Sequence, residues 1–282
     1  MQTEIVDRIP NDPPRAEALS IPAADGGSIY CVHAGRGPTV LLAHGYLLDL
    51  TVFNPLFQRL VDAGFHVVAF DQRGHGRSHE GTAGCSASAA AADYRSVLER
   101  FGVEDATLVG HSMGGFLALR YCLDHPQSAA RLRRLVLLGA NAGTVAVGSL
   151  ANRLQIPLLE LGVMPQLWRR PRVGRALVKQ LFGARAELAW LEDTRAMLLR
   201  QSVARSLPLL RAMCYDDLYP RLTEIPVPVH VLCGELDRTC PTWHSQRLSQ
   251  QLSAASYRHL PGLGHMLPYE APDAVFAAIS DK

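Results

Sequence analysis

Lysine is almost absent: Lys179 and Lys282 are the only two, and the 28 basic residues barely outnumber the 26 acidic ones. The resulting formal charge of +2 gives no global pull toward nucleic acid. No run of 18 apolar residues occurs, so no membrane span is expected. The opening MQTEIVDRIPNDPP has no apolar core of the signal-peptide kind. Six cysteines form neither a CxxC pair nor a metal-ligand spacing, which predicts reduced thiols, no structural metal and a cytoplasmic location. The fingerprints GxGxxG and GxxxxGK[ST] are both missing, which argues against dinucleotide and P-loop sites. What the chain does have is apolar material. At 48% hydrophobic over 282 residues it can bury one large core or two small ones, and it is too apolar for a disordered chain.

The order of elements is informative. Ala18–Ile21 and Ser28–His33 read as a hairpin around Asp25-Gly26-Gly27. Apolar runs at 39–43 (TVLLA), 66–70 (HVVAF), 106–109 and 135–138 then alternate with helical patterns at 52–63, 87–101 and 113–124. Strands apolar throughout, alternating with helices, predict a mostly parallel twisted sheet covered on both faces. The rhythm breaks after Ala140. Residues 144–222 hold helical patches, prolines and no strand pattern, with twelve basic residues against six acidic ones. Strands return at 229–233 and 256–260, with helices at 242–252 and after Pro272. The expected organisation is an α/β core at 1–143 and 223–282, interrupted by a helical cap at 144–222.

The chemistry concentrates at Gly110-His111-Ser112-Met113-Gly114-Gly115, directly between a strand and a helix. That is G-x-S-x-G in the strand–turn–helix setting it requires. Glycines on both sides permit a sharp turn that lifts the serine off the strand end, and the free N–H groups of the following helix face any developing oxyanion. The bland alternative is a tight turn with an idle serine. A serine hydroxyl needs a base held by an acid. Asp237, just past the strand VHVLC, and His265, in a glycine-rich loop after the last strand, follow in the expected order. Glu235 competes for the acid role; Asn141, after the preceding strand, holds an alternative acid position in some proteins of this type but cannot carry charge. His259 reads as a satisfied structural histidine within its strand and His111 as packing beneath the turn, while histidines 33, 66, 125, 230 and 244 read as structural or exposed. The second oxyanion donor is expected after TVLLA, where Gly45 lets the N–H of Tyr46 face the same point as that of Met113. His44 reads as fixing that loop. Asp71–Ser78 (DQRGHGRS) reads as a structural loop, with a metal site at His75 and His79 as the weaker alternative.

With HGY at 44–46, DQRGHGRS at 71–78, GHSMGG at 110–115, GELD at 234–237 and GLGHMLPYEAP at 262–272, the chain resembles the α/β-hydrolase superfamily from residue 18 to 278. It is most similar to serine esterases, lipases and lactonases with a helical cap. The resemblance implies Ser112 as nucleophile, His265 as general base and acid, Asp237 as orienting acid, and Tyr46 and Met113 as oxyanion donors. It further implies a small-molecule ester or lactone substrate, an acyl-enzyme intermediate and no cofactor. Relatives that cleave carbon–halogen bonds or open epoxides use an aspartate nucleophile, and Ser112 argues against both. Haloperoxidases or perhydrolases, carbon–carbon bond hydrolases and acyltransferases share the triad and stay open as alternatives. A binding-only protein would lack a triad member, and all three are present. Trp168-Arg169-Arg170 marks where a cap arginine could attract an anionic substrate or lipid surface, against the plainer reading of solvated helix faces.

Overall fold

The strands are β1 (Glu4–Ile5), β2 (Glu17–Pro22), β3 (Ser28–Ala34), β4 (Thr39–Ala43), β5 (His66–Phe70), β6 (Ala106–His111), β7 (Leu132–Leu138), β8 (Val229–Gly234) and β9 (Ala255–Leu260), and β4 to β8 form from apolar runs too short for buried helices. The computed structural model describes residues 4–5, 12–102, 104–147 and 149–281; most of the amino-terminal stretch read above for a signal sequence lies outside them. The strands form one sheet in the order β1-β2-β3-β5-β4-β6-β7-β8-β9. From β5 to β9 all neighbours are parallel, and the hairpin β2–β3 joins antiparallel at one side. Strands β4 to β8 are buried along nearly their whole length, as a sheet covered on both faces requires.

The helices are α1 (Asn54–Asp62), α2 (Ala87–Arg100), α3 (Met113–Asp124), α4 (Pro126–Ala129), α5 (Leu150–Glu160), α6 (Val163–Arg169), α7 (Pro171–Lys179), α8 (Leu188–Arg200), α9 (Val203–Tyr215), α10 (Thr242–Gln251), α11 (Leu267–Glu270) and α12 (Pro272–Ser280). Ser86 caps α2, its hydroxyl accepting from the Ala89 N–H. The alanine face of α2 packs on α3, whose residues are almost all buried. Phe53, Phe57, Phe70, Tyr94 and Phe116 fill the space between sheet and helices, each contributing roughly 1.5–3 kcal/mol of transfer free energy. Between β7 and β8 the described residues form α5 to α9 and no strand.

Two details depart from the sequence reading. β7 begins at Leu132, three residues before its apolar run. Arg134 is buried there, and its guanidinium donates to the Ala278 carbonyl under α12 at 3.3 Å, so an arginine serves inside a strand. His259, on the side strand β9, is exposed rather than packed in the interior.

Candidate functional site

Parallel strands point their carboxyl ends to one edge of the sheet, and open α/β sheets place ligands there. β6 delivers Ser112 to this edge, β4 delivers His44 to Leu47, β8 leads to Asp237, and the loop after β9 carries His265. Ser112 is 4% exposed and has φ +53° and ψ −117°, a conformation rare for a residue with a side chain. Holding it costs of order 1–3 kcal/mol, a strain typical of functional turns. The turn is held because the Ser112 N–H donates to Leu138 O at 2.9 Å. A β-carbon on Gly110 would lie 2.6 Å from the Gly115 backbone, so strand and helix can approach this closely only with glycine at that position.

His265 (4% exposed) and Asp237 (5% exposed) are in contact, Nδ1 to Oδ2 at 2.7 Å. The other carboxylate oxygen, Oδ1, accepts from the N–H groups of Thr239 at 2.9 Å and Cys240 at 2.8 Å. Those two donors fix the carboxylate, so its free edge meets the imidazole. Glu235, the competing acid, turns away and accepts from the Gly262 N–H at 2.8 Å. His111 packs against His265 and bonds its carbonyl through Nε2 at 2.9 Å; burial holds His111 down at about 3, in its neutral form.

The loop after β4 comes up beside Ser112. A β-carbon on Gly45 would sit 3.0 Å from His111 Nδ1 and 3.2 Å from Ser112 Cβ, so Gly45 packs against both the serine and the histidine before it. His44 is buried and fixes this turn, with Nδ1 on Gly45 O at 2.8 Å and Nε2 accepting from the Gln72 N–H at 2.9 Å. Leu47 follows at φ +55°, a second strained residue. The Tyr46 hydroxyl lies 3.4 Å from Ser206 Oγ on α9, and burial pushes it up to about 12.

Asp237 and His265 are thus joined, and Ser112 lies beside both the His111–His265 pair and the Gly45 turn. No hydrogen bond joins the Ser112 hydroxyl to His265 among the described residues. That hydroxyl and the Asn141 amide instead lie against the buried Cys240 thiol, which burial pushes up with the Asp237 charge adding to it. The sequence reading missed Cys240, whose only signal is its place three residues after Asp237. Asn141 stays off the imidazole; its Oδ1 accepts from the Gly143 N–H.

The loop at 71–78 is tied down by its charges. Arg73 (2% exposed) bonds Asp93 at 2.6 Å and Asp25 at 2.9 Å, and Arg77 bonds Asp12 and Asp71. His75 is buried and His79 exposed, so the two do not converge, and no metal-ligating cluster gathers among the described residues. Several arginines of 144–222 bind carboxylates: Arg200 meets Asp49 at 2.7 Å, and Arg205 meets Glu80. Arg169 and Arg170 are exposed and have no carboxylate partner among the described residues, while Trp168 is buried. A groove of about 500 Å³ between α8 and residues 51–55 has Met197, Arg200 and Tyr269 in its wall and none of Ser112, Asp237 or His265. No described helix is long and apolar enough to cross a membrane.

Comparison with known proteins agrees with this architecture. The chain is 26% identical over 259 residues to the AB hydrolase superfamily protein YisY of Bacillus subtilis, covering 90% of this chain and 94% of that protein. It is 29% identical over 236 residues to the non-heme chloroperoxidase CPO-A1 of Kitasatospora aureofaciens, covering 81% and 84%. The fold is similar to that of an esterase from Exiguobacterium antarcticum, with a TM-score of 0.79 at 22% identity over 92% of this chain and 98% of the other. The model of the alpha/beta hydrolase family matches residues 40–278, and the chain belongs to that family.

Proposed function

We propose that this protein hydrolyses carboxylic esters or lactones through an acyl-enzyme on Ser112. The observation that carries the reading is the 2.7 Å Asp237–His265 pair, set at the sheet edge that also holds the strained Ser112. With Nδ1–H donated to Asp237, the imidazole keeps Nε2 as its basic lone pair. A rotation about the Ser112 Cα–Cβ bond, from Cys240 toward Nε2, makes the nucleophile–base contact; such contacts are often open in a free enzyme. Serine Oγ then attacks the carbonyl carbon as its proton passes to His265. The tetrahedral oxyanion lies between the N–H groups of Met113, at the start of α3, and Tyr46. Collapse expels the alkoxide, which takes the proton from His265. Water, deprotonated by the same imidazole, attacks the acyl carbon and releases the acid and Ser112. These steps need no cofactor.

Residues 144–222 act in this reading as a cap that closes the site from above. Support comes from α9 and the segment before it, which reach the loops around the oxyanion turn through Arg200, Gln201, Arg205 and Ser206. Apolar cap faces then line the acyl pocket while Arg169 and Arg170 stay in water. The chloroperoxidase relative favours one second reading, in which hydrogen peroxide replaces water in deacylation and a peracid leaves. A fluorophosphonate probe tests the proposal. Wild type should label at Ser112 and hydrolyse p-nitrophenyl acetate, and Ser112→Ala should lose both, with turnover falling about 10⁴-fold or more. Absence of labelling in wild type refutes it. Peracid formation from acetate and peroxide, exceeding ester hydrolysis, would select the second reading.

A further inference from the structure

The loop that carries His265 is held from two sides. From the sheet edge, Glu235 accepts from the Gly262 N–H, the Leu236 N–H donates to Leu263 O at 2.8 Å, and His111 bonds the His265 carbonyl. From the other side come residues 181–184, which connect α7 to α8. The His265 N–H donates to Leu181 O at 2.7 Å, and the Ala184 N–H donates to Gly262 O at 2.9 Å. One side chain bonds both segments. Glu270, on α11, accepts from the Gly183 N–H at 2.6 Å through Oε1 and from the Gly264 N–H at 3.1 Å through each oxygen. The segments touch backbone to backbone: a β-carbon on Gly183 would overlap Gly262 O, and one on Gly264 would overlap the Phe182 carbonyl carbon.

Building on the hydrolase reading above, we propose that Glu270 is a positioning residue for His265. It clips residues 181–184 to the histidine loop, so that the imidazole is in register with Ser112 only while that segment is docked. Glu270 hydrogen-bonds only backbone N–H groups, so it acts on the base through the loop and through its charge near His265, not through the substrate. Each of the two glycine N–H groups depends on this carboxylate, and a buried N–H left without an acceptor drives local rearrangement. A second sign is electrostatic. Burial pushes the Glu270 carboxyl up against the pull of the N–H groups of Gly183, Gly264 and Met266 and of the His265 charge. The fold therefore keeps an ionisable group where burial works against its charge, a choice that stability alone does not favour. The consequence for function is that displacement of residues 181–184, by substrate entry or product release, also moves the base.

The test uses the full chain, with active sites counted by fluorophosphonate titration so that unfolded protein does not enter the rate. Glu270→Ala should lower kcat per titrated site by about 10- to 100-fold, the size expected for ångström-scale misplacement of a reacting group. KM for a small neutral ester should stay within about threefold, because no substrate contact is removed. Glu270→Gln, which keeps one acceptor oxygen, should fall between wild type and Glu270→Ala. Gly183→Ala should produce the same fall in kcat without touching Glu270, by pushing the segment off the loop. A normal kcat per site in Glu270→Ala, with only a lower melting temperature, overturns the positioning role. A normal kcat in Gly183→Ala overturns the coupling to residues 181–184. If wild type fails to label at all, the hydrolase reading falls and this one with it; labelling with normal variants overturns this inference alone.

Discussion

Replacing Asp237 by asparagine changes one atom of the site and should nearly stop the reaction. The carboxylate makes three contacts: Oδ1 accepts from the Thr239 and Cys240 N–H groups, and Oδ2 meets His265 Nδ1. An asparagine has a single acceptor oxygen, and two backbone donors compete for it. With the oxygen on their side, the amide NH₂ faces His265, Nδ1 must accept, and the ring proton moves to Nε2. The base then presents a proton to Ser112 instead of a lone pair. The opposite amide orientation leaves two N–H groups facing an NH₂, at about 1–3 kcal/mol for each unmade bond. The loss of a correctly set tautomer and of support for the imidazolium is worth about 10⁴ in kcat in serine protease triads, or about 5.5 kcal/mol of barrier. Steady-state hydrolysis of p-nitrophenyl acetate measures it, beside denaturant unfolding to show that the nearly isosteric variant folds. Glu235→Gln is the matched control, since it weakens one bond to Gly262, worth about 0.5–1.5 kcal/mol and so about tenfold in rate at most. Near-normal activity in Asp237→Asn with abolished activity in Glu235→Gln would refute the assignment of the acid.

Two further predictions concern stability. Arg73→Met leaves the buried Asp93 carboxylate without its partner and should cost about 3–5 kcal/mol in urea unfolding; a loss under about 1 kcal/mol would show that the ion pair is not structural. His244 is buried against the Tyr219 hydroxyl, and burial, with the Arg247 charge adding, lowers it to about 4. The unfolded chain takes up that proton near pH 6.5 and the folded chain does not, so this contribution to stability is present above pH 6.5 and lost as pH falls through 4. The stability difference between wild type and His244→Gln should shrink by up to about 1.4 kcal/mol per pH unit over that window; a constant difference would refute the assignment.

The alternation of short apolar runs with helical patterns, together with the turn signal at Asp25-Gly26-Gly27, was enough to locate eight strands, β2 to β9; β4 to β8 were the plainest, because a strand buried on both faces leaves an uninterrupted apolar signature. The G-x-S-x-G turn was equally legible, since only glycine tolerates the backbone approach at Gly110. Chain order then named Asp237 and His265 as candidates. Tertiary structure decided the rest. Glu235 and Asp237 are two residues apart and chemically alike, and only the backbone donors at Thr239 and Cys240 turn one toward the imidazole while Gly262 draws the other away. The early start of β7 stayed hidden because a buried arginine reads as surface until its carbonyl partner on α12 is seen. The placing of Cys240 against Ser112, and of residues 181–184 against the loop of His265, left no mark in the sequence. Those contacts join backbone or small side chains distant along the chain, and neither periodicity nor residue type encodes a partner that folding alone brings near.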